Sequence, residues 1–197
     1  MESSSSSFAS EIAGVGVDAD SPWDLVNSRK SYRAAVPILL RWLDRAEETP
    51  VAERARFREG LVRALSVKEA RGVAGPALIR EFYRPGAEGG YRWVVGSALE
   101  VVADAGIFED LAELVGDRDF GRDRQMAVLA LARVKDERAV DVLVRLLDDE
   151  DVAGHAIIAL GRLKARAAVP AIARRLDDPH PWVRKEAKKA LAKIGEA

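Results

Sequence analysis

An Ala-Leu pair closes an amphipathic segment five times along this chain, and its spacing constrains the fold more than any other feature. The pairs stand at Ala64-Leu65, Ala98-Leu99, Ala130-Leu131, Ala159-Leu160 and Ala190-Leu191, separated by 34, 32, 29 and 31 residues. Three positions before each pair comes a small or apolar residue: Leu61, Val95, Ala127, Ala156 and Ala187. Seven before come Phe57, Tyr91, Asp123, Val152 and Val183, so only Asp123 departs from the pattern. Offsets of −7, −3, 0 and +1 share one face of a helix and cannot share one face of a strand.

A shorter apolar segment precedes each of these helices, at 36–43, 75–82, 108–115, 140–147 and 169–176. Pro37, Pro76 and Pro170 suit a first helical turn, where the missing N–H has no partner to lose. Asp44, Asp117, Asp148-Asp149 and Asp177-Asp178 close several of these segments and can cap the next helix start. The unit is helix, acidic turn, longer helix. A period near 30 residues with two helices per unit predicts an all-α fold, an α-solenoid of about five repeats. The units run roughly over 32–66, 75–104, 107–134, 137–163 and 166–195.

Ahead of the repeats, residues 1–20 hold five consecutive serines, small residues and Gly14 and Gly16. Such a composition offers little apolar surface to offset the entropy of ordering, so a disordered tail is expected. Structure is expected to begin at Ser21-Pro22, an N-cap serine before a first-turn proline, with a short helix through Asn27 that buries Trp23, Leu25 and Val26 and caps the first repeat.

Composition excludes several classes of function. A net charge of −1 argues against a protein that clings as a whole to nucleic acid or to acidic membranes. No run approaches the roughly 18 uninterrupted apolar residues of a membrane span, and the N-terminus lacks the basic start and apolar run of a secretory signal. With no cysteine there is no thiolate chemistry, and a cytoplasmic location is expected. Gly-Ala-Glu-Gly-Gly at 86–90 lacks the lysine and the strand of a phosphate loop. No nucleophile motif accompanies either histidine. Neither enzyme activity nor a cofactor or metal is expected.

The pattern Val-Pro-x-Ile-x-x-x-Leu-Asp-Asp-Pro at 169–179, followed by Val-Arg-x-x-Ala-x-x-Ala-Leu-x-x-Ile-Gly at 183–195, resembles HEAT repeats. The unit length is similar to the short HEAT-like repeats of phycobilisome lyases and many other bacterial proteins. The likeness is close over 108–195 and looser over 32–104, where an insert at 84–90 lengthens one turn. It implies a solenoid that binds other proteins, and it assigns no activity.

Four arginines occupy one column of the repeats: Arg58, Arg92, Arg124 and Arg184, with Ala153 in the fourth unit. They could form an anion track, but the resemblance implies a structural ladder that meets the acidic turns. His155 stands in the column of Val94, Met126 and Glu186. HEAT-like hydroxylases bind di-iron through His-Glu pairs, yet Ala156 follows His155 and no other unit supplies such a pair, so packing or a groove contact is expected. Trp42 and Trp23 read as packing residues. Trp93 lies in the otherwise polar column of Glu59, Gln125, Gly154 and Lys185, which suggests a contact hot spot unless the 84–90 insert covers it.

Charge is uneven along the chain. Residues 100–120 hold seven acids and one arginine, whereas 161–197 hold ten bases and four acids. The basic last helix reads as a solubilising end cap or as a contact for an acidic partner. The expected function is a non-catalytic scaffold, a monomer or weak dimer, that binds a protein through a groove. The candidate groove residues are Glu59, Arg63, Trp93, Glu100, Gln125, His155, Lys185 and Lys189. Binding of nucleic acid, and a lyase-type or hydroxylase-type enzyme, are the alternatives.

Overall fold

The computed structural model describes residues 4–26, 28–87 and 89–196. Among these are twelve α-helices and no strand: α1 (Ser4–Ala13), α2 (Pro22–Val26), α3 (Val36–Asp44), α4 (Val51–Leu65), α5 (Gly75–Phe82), α6 (Gly89–Val102), α7 (Phe108–Gly116), α8 (Gln125–Ala130), α9 (Arg138–Arg145), α10 (Ala153–Leu163), α11 (Val169–Ala173) and α12 (Pro181–Gly195). None of the described helices is long and apolar enough to cross a membrane.

From α3 onward the helices pack as consecutive pairs, the first of each pair against the second. The second helices α4, α6, α8, α10 and α12 then stack side by side in one unbroken row. The Ala-Leu pairs lie at the centre of this packing; both residues are buried in the first four units, and Ala190 is buried beside a half-buried Leu191. Close approach within the row depends on small residues. A Cβ added to Gly96 would lie 2.9 Å from the backbone nitrogen of Ala127, and one added to Gly161 would lie 3.0 Å from the Ala190 methyl. The result is a helical solenoid in two rows, as the period predicts.

The third unit departs from the expected longer second helix. Its α8 has only six residues, preceded by a 3-10 segment over Arg118–Arg124 and followed by a turn. Gly121 breaks the helical geometry there at φ 46° and ψ −124°, a left-handed region that favours glycine. Asp123, the one break in the apolar column, therefore stands outside the helix and not on its buried face. In the last unit α11 is also short and runs on as a 3-10 turn through Asp177.

The expected disordered tail is corrected over Ser4–Ala13, which forms α1. Phe8 and Ile12, one helical turn apart, are fully buried. The Phe8 ring sits edge-on to Trp42 at 5.8 Å and to Phe57 at 5.5 Å. The helix also ends on a recognisable stop: Gly16 N donates to Ala13 O at 2.9 Å and Val17 N to Ile12 O at 3.3 Å, with Gly16 at φ 76°. Met1–Ser3 lie outside the described residues.

α2 begins as expected at Pro22, but Ser21 does not act as the acceptor of its cap. Its backbone N–H and hydroxyl both donate to Asp24 Oδ2, at 2.8 and 2.9 Å. Asn27, the expected end of this helix, is outside the described residues. With α1 against α3 and α2 against α4, the N-terminal segment adds an incomplete sixth pair that covers the end of the solenoid.

Candidate partner-binding surface

The arginine column joins the units. Arg58 Nη1 donates to Glu81 Oε2 of the second unit and Nη2 to Glu47 Oε1 of its own turn, each at 2.8 Å. Arg92 Nη1 reaches Asp123 of the third unit at 3.2 Å, with the guanidinium 4.8 Å from the Phe120 ring centroid. Arg124 is entirely buried. Its Nη2 lies 2.6 Å from Asp149 Oδ2 of the fourth unit, while Nη1 donates to Val115 O at 2.7 Å and Nε to Gly121 O at 3.0 Å. Where the column holds Ala153, Arg175 of the fifth unit instead pairs with Asp148 of the fourth. Arg184, in the last unit, donates to its own turn at Asp178 O and Pro179 O, at 2.6 and 3.0 Å.

Glu81 is the most heavily used of these acids. Buried on α5, it accepts from Arg58, from Arg84 Nε at 2.8 Å and from the Tyr91 hydroxyl at 2.8 Å. Burial, and then the neighbouring Glu81 charge, push the Tyr91 hydroxyl far above the usual tyrosine range. This network ties down the start of the 84–90 insert, and it leaves Trp93 uncovered: 47% of Trp93 is exposed.

One ion pair crosses a face of the row of second helices. Glu100, on α6, accepts from Arg162 Nη1, on α10, at 2.6 Å across 62 residues of sequence and past the intervening α8. The bond marks one face of the row of second helices, here called the inner face, and the shortened α8 leaves room for it. Residues seven positions apart share a helix face, so Trp93 shares the inner face with Glu100, and His155 with Arg162.

The eight candidate residues divide accordingly. Glu100 is a brace, and Gln125 Nε2 is engaged with Asp151 O at 2.8 Å. Arg63 pairs with Glu59 at 2.8 Å, and Lys189 with Glu186 at 2.7 Å. Lys185 is exposed. Trp93 is both exposed and on the inner face. Trp42 is buried as expected, and Trp23 lies half-buried against α4 with its Nε1 donating to Arg56 O at 3.0 Å.

His155 has a partner that the sequence reading did not single out. Trp182, in the first turn of α12, lies over α10 with its ring centroid 5.2 Å from that of His155 and with 45% of its surface exposed. Gly154 makes room for the ring: a Cβ there would lie 1.9 Å from Cζ3 of Trp182. Gly154 occupies the column of Trp93, so the two tryptophan rings stand over equivalent spots of the second and fourth units. The available signal was a glycine in a polar column with a tryptophan 28 residues downstream.

Burial lowers the His155 pKa below its ordinary 6.5, with the Glu100 charge pulling weakly the other way. Its Nδ1 is buried with no hydrogen-bond partner among the described residues. The folded state therefore binds this proton less readily than the unfolded chain. The stability that neutral His155 preserves is lost as pH falls through 6.5 toward the lowered folded value. Thermal melts of His155→Phe and the parent should then diverge on going from pH 7.5 to pH 5, with the variant losing less. Parallel melts across that range would show that His155 does not titrate in the fold. Among the described residues no group of three His, Asp or Glu side chains could hold a metal ion.

Comparison with known families identifies the units. Residues 123–149 match the PBS lyase HEAT-like repeat and residues 148–197 match HEAT repeats, so the two matches run together from the second helix of the third unit to the C-terminus. A search of curated proteins finds no match. The matched helices stack on two further helix pairs, joined by the same kind of arginine contact, so residues 123–197 are HEAT-like repeats within one continuous helical solenoid.

Proposed function

We propose that this protein is a non-catalytic scaffold that binds a protein partner along the inner face of its second helices. HEAT repeats generally mediate protein interactions, and the observation that carries the reading here is the pair Trp93 and Trp182. Both rings are about half exposed, whereas Trp42 is 2% exposed. Half-exposed tryptophans are costly to leave in water and are enriched among interface hot spots.

Their separation selects the kind of partner. Two packed-helix spacings amount to roughly 16–20 Å. A peptide must be extended over about six residues to span that distance, so a folded surface or a peptide segment fits and a small ligand does not. Lys185 and Lys189 beyond Trp182 favour acidic residues at the C-terminal end of the partner's footprint.

The test is capture from the native cell by the immobilised full chain, compared with Trp93→Ala/Trp182→Ala. Loss of two hot-spot side chains should weaken capture by about tenfold or more, each 1.4 kcal/mol being a factor of ten, while helicity stays unchanged. Undiminished capture by a folded double variant would remove the inner face as the binding surface.

A further inference from the structure

We propose that the end face of the first unit, around Trp42 and Phe57, is a docking site for an amphipathic helix supplied by another protein, and that α1 is its resident, displaceable occupant. This site lies at the N-terminal end of the stack, on α3 and α4, and is separate from the inner-face tryptophans.

The contacts of α1 define what the site recognises. Phe8, Glu11 and Ile12 lie on one helical face, at i, i+3 and i+4. Phe8 completes an edge-to-face triangle with Trp42 and Phe57, whose own rings are 5.8 Å apart. Ile12 fills the next turn, and Glu11 pairs with Arg41 at the rim. Arg45, with its guanidinium 5.4 Å from the Trp42 ring centroid, adds a second cation there. The complementary ligand is a helix carrying an aromatic residue, an acid three positions later and a branched aliphatic residue four positions later.

Two observations mark α1 as replaceable. First, a ten-residue helix is marginal on its own in water, so its order depends on two apolar anchors and one half-exposed ion pair, while Ser10 and Ala13 face solvent. Second, α1 leaves the site imperfectly satisfied. The indole N–H of Trp42 is buried without an acceptor among the described residues. A competing helix that places a carbonyl or carboxamide oxygen against that N–H gains a hydrogen bond that α1 does not make.

The resident helix has the advantage of its tether. The connection Gly14–Asp20 is short and is itself held by Ala19 in the core and Val17 against it. It sets an effective concentration on the order of millimolar or above, so the site stays masked in the intact chain until a stronger helix arrives. The test uses the full chain and a fluorescein-labelled peptide of residues 4–20. Phe8→Ala/Ile12→Ala should release α1 and bind the peptide at least about tenfold more tightly than the parent does. The same peptide carrying Phe8→Ala should not bind. In the parent, hydrogen exchange of α1 amides should run about a hundredfold faster than that of α4 amides, as local opening requires. Absence of peptide binding to the folded variant, equal binding to parent and variant, or equal binding of the Phe8→Ala peptide would each overturn the proposal. So would a variant that unfolds, or α1 amides that exchange only as slowly as α4, because α1 would then be a permanent cap.

Discussion

Arg124→Met should lower stability by about 3–5 kcal/mol, the cost of leaving a buried charge without its partner. The guanidinium is fully buried and makes three contacts: Asp149 of the next unit, and the carbonyls of Val115 and Gly121 in its own. Methionine fills the volume but leaves the Asp149 carboxylate, itself 5% exposed, with the solvent-facing Arg118 at 3.5 Å as its remaining cation. For a chain of this size the loss corresponds to roughly 6–20 °C in Tm. Solenoid stability is a sum of unit and interface contributions, so the damage should be localised. The melt should broaden or split as the units on either side of the third-to-fourth interface unfold separately. Adding Asp149→Asn should recover part of the loss, since the amide oxygen can still accept from Asp151 N as Asp149 Oδ1 does at 3.2 Å. Recovery should be incomplete because the two carbonyls remain unpaired. Additive losses in this cycle would show that the two side chains do not interact in solution.

The contrast with Arg184 explains why the same residue type has different weight along the column. Arg184 meets only backbone carbonyls of its own turn, and no following unit supplies a carboxylate among the described residues. Its replacement should therefore perturb the last turn and leave the stack intact. The outer face of α12 is also charged. Positions by which α10 receives its neighbour, Gly154, Ile157 and Ile158, correspond in α12 to Lys185, Lys188 and Lys189 by the alignment of Ala-Leu pairs. Burying Lys185 and Lys188 without acidic partners would cost more than apolar contact returns, so whatever packs on this face of α12 must supply carboxylates.

The repeat was legible because its determinants are local. An Ala-Leu pair and a small or apolar residue three before it lie within one unit and recur five times, and a proline at the start of the first helix recurs in three of the units. What the sequence concealed depends on residues far apart. α1 was obscured by its serine-rich start, although Phe8, Ile12 and the Gly16-Val17 stop are visible in retrospect; their partners Trp42 and Phe57 come 34 and 49 residues after Phe8. Asp123, the one mismatch in the apolar column, proved informative. Exclusion from α8 lets it accept from Arg92, so the break in periodicity is a rung of the ladder. Glu100 and Gln125 stood at groove positions and read as available for a partner, yet both are engaged within the chain. No pattern within one unit reports a bond to Arg162, 62 residues away.

The second large effect is expected at Gly154, where its sign should depend on Trp182. Glycine is less favourable than alanine by about 0.8–1.0 kcal/mol in a helix interior and by less in the first turn, where Gly154 stands, so Gly154→Ala would ordinarily stabilise α10 slightly. Here the added Cβ would lie 1.9, 2.5 and 2.7 Å from three carbons of the Trp182 ring, and the ring must leave. Overpacking of this kind typically costs about 1–3 kcal/mol, and the stack on His155 is lost with it. In a Trp182→Ala background there is no ring to displace, and the same substitution should stabilise by the helix-propensity amount. The cycle thus tests the close contact itself, apart from any general fragility of α10. It also separates structure from binding: Gly154→Ala leaves both tryptophans in the sequence and moves only one ring. If Trp182 contributes to partner capture from the position it holds over α10, Gly154→Ala should weaken capture nearly as much as Trp182→Ala does, with Trp93 untouched. Capture equal to the parent, in a variant whose tryptophan fluorescence shows the ring displaced, would reduce Trp182 to a packing residue and leave Trp93 to carry the inner face alone.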